Sequence, residues 1–239
     1  MRARWWTYIV PSPTSTSTRV SSVHALLRRD ILSGKFPPGS RLAAAALQER
    51  YGASSGLLRE VLPRLVAEGL AIARPQRGYW VISYSHEDLR QLTEARVLIE
   101  TTVLRQSIRD GDLAWQSRVL AAHHTLANTP VLAADDSSAN PDWLEAHARF
   151  HSELLSGASN LRLRNLADSL RDITEVYRVW SGRLAMAAER GAAAVAAEHK
   201  SPVDAALSGN ANLATAELTL HLERTTRYLL ANVNSIAAD

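Results

Sequence analysis

The stretch from Ile31 to Val81 decides the fold and reads ILSGKFPPGSRLAAAALQERYGASSGLLREVLPRLVAEGLAIARPQRGYWV. It holds two segments of helical periodicity, which end near Gly52 and Gly69, and then a run that alternates apolar and other residues around positions 75–78. Glycine after the last periodic residue is a helix stop signal, and alternation around a Pro/Gly turn predicts paired strands. The stretch therefore predicts helix, turn, helix and β-hairpin.

A leading helix is predicted just before this stretch, in VSSVHALLRRDILSG at positions 20–34. Its apolar residues recur at helical spacing, Ser21 or Ser22 is a candidate N-cap, and Gly34 ends it. Three helices and a hairpin make a winged helix-turn-helix domain, which we place at residues 21–83. Residues 1–20 are rich in Ser, Thr and Pro and are interpreted as a disordered leader.

From His86 onward, amphipathic helices replace strand signals. They are expected at roughly 86–109, 112–128, 140–157, 160–188, 190–208 and 212–232. The fold class is therefore mainly α: a winged helix-turn-helix followed, over residues 84–239, by an all-helical bundle of about six helices.

Composition excludes several classes of protein. The 239 residues include no cysteine, so thiolate zinc fingers and cysteine nucleophiles are excluded, and any metal must be held by His, Asp or Glu. No uncharged apolar run reaches eighteen residues, so no membrane partner is expected and a cytoplasmic location is predicted. Residues 1–83 carry 12 Lys and Arg against 4 Asp and Glu, whereas the remainder carries 15 against 20. This asymmetry favours a front domain that faces nucleic acid, although a basic segment can also be a solvated face.

The front domain resembles the DNA-binding domain of the GntR family of bacterial transcription regulators. The resemblance rests on its PG-x-x-L turn, its LLREVL helix, its L-x-x-E-G-L run and its R-G-x-x-V wing. It implies that the third helix enters the major groove while the wing reaches phosphates or the minor groove of double-stranded DNA. The residues expected to bind DNA are Arg41, Ser54, Ser55, Gly56, Arg59, Arg64, Gln76, Arg77 and Gly78.

The front domain departs from the family pattern at two places. Ser55 stands where the family has an arginine, and the acidic residue usual after the PG-x-x-L turn is replaced within AAAA. Because a bidentate base contact contributes about 1–3 kcal/mol of discrimination, the loss of one predicts an atypical operator or weaker discrimination. The alternative for Arg59 and Glu60 is a solvated pair on the helix surface.

Histidines in the back domain raise the question of a metal. His147 and His151 are four positions apart and so lie on one helix face, and His199 and His221 lie on or near later helices. The runs EAHARFHSELLSGASN and EHKSPVDAALSGNANLATAELTLHLER resemble the FCD ligand-sensing domain of the FadR branch of this family. The resemblance implies that these four histidines hold one divalent metal, with His147 standing where the family has Asp or Asn. Four imidazoles favour zinc, with nickel or copper as alternatives, over manganese.

Two observations oppose this interpretation. Pro202 follows His199 by three positions, so Ser201 could cap a new helix there and His199 could be displaced. A single histidine is also more often a surface or core residue than a ligand, and we interpret the adjacent His123 and His124 in that way.

The resemblance further implies that a carboxylate metabolite binds the metal. Arg96 matches an arginine that faces the cavity in relatives and could pair with such a carboxylate; its alternative is a surface salt bridge with Glu100. Tyr177 and Arg178 are candidate effector-binding residues by position only, and a core or surface role is the competing interpretation.

The sequence therefore predicts a regulator, and not an enzyme, that binds a palindromic operator as a homodimer and acts as a repressor under metabolite control. A count of six helices favours the VanR-like subgroup. Two alternatives remain: a metal-dependent enzyme on a His-rich bundle, and a constitutive DNA-binding factor with a degenerate metal pocket.

Overall fold

The computed structural model of the protein describes residues 15–83, 85–132, 140–180 and 192–233. The described chain is mainly helical with one antiparallel hairpin, which confirms the predicted fold class. The front elements are α1 (Ser15–Leu32), α2 (Ala44–Tyr51), α3 (Ser55–Ala67), β1 (Ala71–Arg74) and β2 (Gly78–Val81). The back elements are α4 (His86–Asp110), α5 (Leu113–Asn128), α6 (Pro141–Leu155), α7 (Leu161–Trp180), α8 (Ala192–Leu207) and α9 (Ala211–Val233).

The front domain is a winged helix-turn-helix whose turn is set by local chemistry. Gly52 ends α2 at φ 57°, in the left-handed region that glycine adopts readily. Ser54 then caps α3, because its side chain accepts a hydrogen bond from the backbone N–H of Leu57 at 3.2 Å. Strands β1 and β2 pair with Ile72 opposite Trp80 and Arg74 opposite Gly78. Apolar residues from α1, α2, α3 and the hairpin meet in one buried core.

Helix α1 begins earlier than predicted, at Ser15, so residues 15–20 of the predicted disordered leader are helical. Val20 is buried in the core of the front domain, and the guanidinium of Arg19 donates to the carbonyl of Gly52 at 2.7 Å. These tertiary contacts stabilise a segment whose Ser/Thr composition predicted disorder. Residues 1–14 of the predicted leader lie outside the described residues.

The back domain is a helical bundle. Several of its helices begin at polar caps: Ser85 accepts from the N–H of Asp88, Asp112 from that of Trp115, and Asn140 from that of Asp142. The main core of the bundle is formed by buried residues of α4 to α9. Residues 181–191 lie outside the described part, so the count of about six helices and the VanR-like assignment stay predictions.

Pro202 does not start a new helix. Helix α8 runs from Ala192 to Leu207 and contains Pro202, and His199 is buried with the other three histidines, so the displacement that the sequence left open does not occur. A proline inside a helix removes one hydrogen bond and costs about 3 kcal/mol. The burial of Val203, Ala205 and Ala206 in the core stabilises the helix across this position.

The two domains pack together through α7. Val176 of this helix is fully buried within the core of the front domain. Beside it, Ile173 lies against Gly69, and Asp172 pairs with Arg28 of α1. Arg28 also lies 3.4 Å from Glu68, at the end of α3. Helix α7 is therefore shared between the bundle and the DNA-binding domain.

Candidate metal centre and DNA interface

The four predicted histidines meet in the middle of the bundle. His147 and His151 come from α6, His199 from α8 and His221 from α9, and each exposes 4% of its surface or less. One ring nitrogen from each lies within 4.8 Å of the others. Sequence spacing alone placed only His147 and His151 side by side. The structure adds His199 and His221 to them from two further helices.

The distances fit a small divalent cation. Zinc bonded to imidazole nitrogens at about 2.0–2.1 Å in a tetrahedron separates those nitrogens by about 3.3 Å. The Nε2 atoms of His147 and His151 are 3.2 Å apart, and the rings of His199 and His221 are 4.6 Å apart between centroids. Small side-chain rotations therefore suffice to place all four nitrogens around one ion.

Burial favours the neutral form of the two histidines of α6. Loss of solvation lowers the pKa of His147 well below its usual value, with a further contribution from the charge of Arg178. The pKa of His151 is lowered in the same way, first by burial and then by the neighbouring His221 and His199. A neutral imidazole has a free lone pair, which is the form that binds a metal.

Aromatic rings and a small cavity border the cluster. Trp143 stacks on His147 at 4.8 Å between ring centroids, and the ring of Phe150 contacts those of His151 and His199 edge-on. A cavity of about 30 Å³, lined by Trp143, His199 and the half-buried His123 among others, reaches the cluster from the side of α5. This space admits a water-sized group beside His199. His123 and His124 lie outside the four-histidine group, as the sequence had indicated.

Buried charges surround the histidines. Arg96 and Glu100 form an ion pair with 2.6 Å between Nε and Oε1, at side-chain exposures of 5% and 1%. The predicted alternative, a surface salt bridge between Arg96 and Glu100, was therefore right about the partner, but the pair is buried and does not lie on the surface. The charge of Arg96 helps to lower the pKa of His151, as does that of Arg171, which lies on α7 and is also buried.

Arg178 lies at the cluster, whereas Tyr177 points elsewhere. Arg178 pairs with Glu175 at 3.2 Å, and the same oxygen of Glu175 lies 3.8 Å from Nδ1 of His147. Tyr177 is buried in a separate apolar group and donates its hydroxyl hydrogen to Asp88 at 2.7 Å. Tyr177 therefore has the core position that the sequence analysis gave as the alternative to effector binding.

Sequence reasoning missed Glu175 and Arg171. Together with Arg178 they occur at positions 171, 175 and 178, a helical spacing that the sequence alone would place on a solvated face. Their burial depends on α7 packing into the bundle, and only the recurrence of charge on one face could have drawn attention to them.

The predicted DNA-binding residues lie on the surface of the front domain. Arg59 and Arg64 project from α3, and Gln76 and Arg77 form the tip of the wing, with Gln76 at φ 56°. At the start of α3, Ser54 is occupied as the cap and Ser55 accepts a hydrogen bond from Gln48. All nine predicted residues are exposed: Arg41, Ser54, Ser55, Gly56, Arg59, Arg64, Gln76, Arg77 and Gly78.

Two arginines at the base of the wing flank one aromatic ring. The guanidinium carbon of Arg74 lies 4.8 Å from the ring centroid of Trp80, and that of Arg41 lies 5.6 Å from it. Cation–π contacts restrict the rotamers of long side chains. The contacts add Arg74 to the exposed cations of the wing.

Comparison with known proteins decides the family. Residues 19–81 match the bacterial regulatory proteins of the gntR family, and residues 91–224 match the FCD domain. The chain belongs to the GntR family. This GntR-family protein is a transcriptional regulator with a helix-turn-helix domain and an FCD domain, and not an enzyme, as predicted.

Relatives of this GntR-family regulator share much of its length. The HTH-type transcriptional regulator BphR of Paraburkholderia xenovorans (strain LB400) is 35% identical over 202 residues, which are 82% of this chain and 79% of that protein. The HTH-type transcriptional repressor GlaR of Escherichia coli (strain K12) is 32% identical over 164 residues, 68% of this chain and 74% of that one.

A solved structure shares the fold. The transcriptional regulator GntR from Rhodococcus sp. RHA1 superposes with a TM-score of 0.72 at 24% identity, covering 90% of this chain and 98% of that one. Among the described residues of this GntR-family regulator, no helix is long and apolar enough to cross a membrane.

Proposed function

We propose that this regulator is a repressor whose binding to a palindromic operator is controlled by a small carboxylate metabolite bound at a zinc ion in the FCD domain. The observation that carries the proposal is the group of four buried histidines in one bundle, joined through α7 to a winged helix. Both its relative GlaR and the galactonate operon regulator of Escherichia coli are named repressors. The proposal places the protein in the cytoplasm, together with bacterial DNA.

The chemistry of the site favours an anionic effector. A divalent ion held by four neutral imidazoles would keep its full charge, and a carboxylate oxygen would bind it as a fifth ligand, a coordination number that zinc can reach. Arg96 and Arg178 lie at the same cluster, and each already holds a carboxylate group from a glutamate. A guanidinium forms paired hydrogen bonds with a carboxylate, so these side chains are suited to bind the effector as well.

Two states are required for control. The effector changes operator affinity only if it binds the operator-competent and incompetent forms with different affinities. Helix α7 is the element through which such a difference passes, since Glu175 and Arg178 lie at the histidines while Ile173 and Val176 pack on the front domain.

A homodimer is proposed because a palindromic operator has the two-fold symmetry of its protein. A surface groove between α4 and α9 suits a second copy of the chain. It contains Val97, Leu98 and Leu230, and Leu98 is 68% exposed. Threonines and the oppositely charged Arg90 and Glu94 border these apolar residues, an arrangement that suits an interface with a polar rim.

The test combines metal analysis with a mobility-shift assay. Protein purified without chelator is expected to contain about one zinc per chain and to retard DNA carrying its own promoter less strongly as salt rises. A panel of small carboxylic acids is then added, and at least one is expected to weaken retardation in zinc-loaded protein but not in the His199→Ala variant. DNA binding that is unaffected by every acid and by removal of the metal would identify a constitutive DNA-binding factor. Absent or salt-insensitive DNA binding would contradict the proposal that the protein regulates transcription.

A further inference from the structure

Glu175 lies beside the histidine cluster without belonging to the candidate ligand set. Its Oε2 atom is 3.8 Å from Nδ1 of His147 and 3.2 Å from Nε of Arg178. The side chain of Glu175 is 13% exposed and that of His147 is 1% exposed. A largely buried carboxylate thus stands between a candidate metal ligand and an arginine.

Among the described residues, His147 and Glu175 each have a buried polar atom that makes no hydrogen bond. These atoms are Nδ1 of His147 and Oε1 of Glu175. Nε2 of His147 faces His151 at 3.2 Å, so Nδ1 is the nitrogen on the outer side of the ring. A buried polar atom without a partner is costly, and a short rotation would join this nitrogen to a carboxylate oxygen.

The tautomer of His147 connects this contact to the metal. When Nε2 directs its lone pair at a cation, the single hydrogen of the neutral ring is on Nδ1. A carboxylate next to Nδ1 favours that tautomer and makes the ring a stronger ligand. Oε2 of Glu175 faces both Nε of Arg178 and Nδ1 of His147, and a carboxylate oxygen can accept two hydrogen bonds, so it can serve both partners.

Charge favours the same arrangement. Four neutral imidazoles leave a divalent cation uncompensated in a buried site, where electrostatic interactions are strong. Glu100, a fully buried acidic residue of the bundle, is already held by Arg96 at 2.6 Å. The carboxylate of Glu175, by comparison, lies 3.8 Å from Nδ1 of His147.

We propose that Glu175 is the positioning residue of the metal centre: it accepts the Nδ1 hydrogen of His147, holds Nε2 toward the cation, and so links metal occupancy to α7. This inference rests on the proposed metal site. Its consequence reaches the front domain, because Ile173 and Val176 of the same helix pack against Gly69 and the front core. A helix is stiff, so a shift of Glu175 toward His147 also moves these two contacts.

A double-mutant cycle tests the proposal. Zinc affinity is measured by competition with a chelator for the wild type, Glu175→Gln, His147→Asp and the double variant. Glu175→Gln is expected to weaken zinc binding about 10–100-fold, the usual loss when an outer carboxylate is removed. In the His147→Asp background the same change is expected to cost less than about threefold, because the aspartate supplies charge directly and has no Nδ1 hydrogen to hold.

Asp168→Asn is the matched control. Asp168 lies on the same helix and pairs with Arg171, but it is 41% exposed and does not contact a histidine of the cluster among the described contacts. Its substitution is expected to change zinc affinity less than about twofold. Equal zinc affinity in Glu175→Gln and the wild type, or equal losses in both backgrounds, would overturn the role of Glu175 while leaving the zinc site standing.

A measurement on the wild type avoids any dependence on a variant that folds. Nitrogen-15 spectra of histidine-labelled, zinc-loaded protein report which ring nitrogen carries the hydrogen. A hydrogen on Nδ1 of His147 is expected, and zinc on Nδ1 or a hydrogen on Nε2 would overturn the assignment. A wild type that binds no zinc would overturn this proposal and the metal site together, and the titration distinguishes that outcome from the others.

Discussion

Gly69 and Ile173 touch across the two domains so closely that the glycine leaves no space for a side chain. A Cβ built on Gly69 would lie 2.8 Å from Cδ1 of Ile173, and the backbone of Gly69 has φ +73°. Gly69 thus follows the predicted recognition helix α3 and also contacts α7 of the helical bundle.

Gly69→Ala is expected to lower the free energy of unfolding of the front domain by about 2 kcal/mol, measured with denaturant. Part of the loss is the strain of a positive φ, of order 1 kcal/mol, and part is the clash with Ile173. Ile173→Ala in the same chain is expected to relieve the clash but not the strain, so the two losses will not add. Gly78→Ala is the control, since Gly78 has φ +97° and open space around it; equal costs at the two glycines would show that the interdomain contact is not tight.

Zinc is expected to stabilise the protein through the histidine cluster. At a free zinc concentration 100 times Kd, the free energy of unfolding should rise by about 2.7 kcal/mol, and a chelator should remove the gain. His199→Ala is expected to abolish most of this rise, measured as the shift in Tm with zinc. His123→Ala, which changes a histidine outside the cluster, should keep it; loss of the shift in both variants would contradict the four-histidine site.

The metal-free protein is expected to lose stability as pH falls below about 6.5. The pKa of His147 and that of His151 are lowered by burial. Just below pH 6.5 these two side chains are therefore protonated in the unfolded chain and remain neutral in the folded chain. Stability therefore rises with pH in this window and declines by up to about 1.4 kcal/mol per pH unit for each such histidine. Denaturant unfolding with chelator between pH 7.5 and 5 measures the slope.

His151→Gln is expected to reduce that slope, because it removes one titrating group. His124→Gln is the matched control, because it removes an exposed histidine that lies outside the cluster. A wild-type stability that stays flat or rises on acidification would show that the buried imidazoles take up protons in the folded state.

Two arginines of the front domain are expected to contribute differently to DNA binding. Arg59→Ala should cost about 1–3 kcal/mol on the operator and relax discrimination at one base pair, if it reads a base edge. Arg77→Ala at the wing should weaken binding to all sequences alike and reduce the salt slope by about one. Fluorescence anisotropy across a salt series separates the two. Arg118→Ala, on α5 outside this domain and away from the α4/α9 groove, is the control. Uniform losses for Arg59→Ala would assign that residue to phosphate.

Leu98→Glu is expected to dissociate the proposed homodimer in analytical ultracentrifugation, because a charge would be buried in the α4/α9 groove. Leu113→Glu is the matched control: Leu113 is 76% exposed and lies at the start of α5, away from the groove. A dimer that survives Leu98→Glu places the interface elsewhere.

Local patterns predicted most of the secondary structure. Helix α4 was expected at 86–109 and is found at His86–Asp110, and Asp112, Asn140 and Gly52 act as the boundaries that their chemistry indicates. Local patterns did not predict helix boundaries that depend on contacts between residues far apart in the sequence. The early start of α1 depends on burial of Val20, and α8 continues through Pro202 because its neighbours are in the core. Neither contact is encoded within one helical turn.

The sequence by itself determined the winged helix, the helical bundle and the identity of four histidines, because these follow from periodicity, turn chemistry and a shared family pattern. The tertiary structure decided that the histidines from three helices converge, that Arg96 and Glu100 pair inside the bundle, and that Glu175 faces His147. It also decided that α7 carries Val176 into the core of the DNA-binding domain. The physical reason is that a helix has several faces, and only packing against its neighbours determines which charged residues are buried.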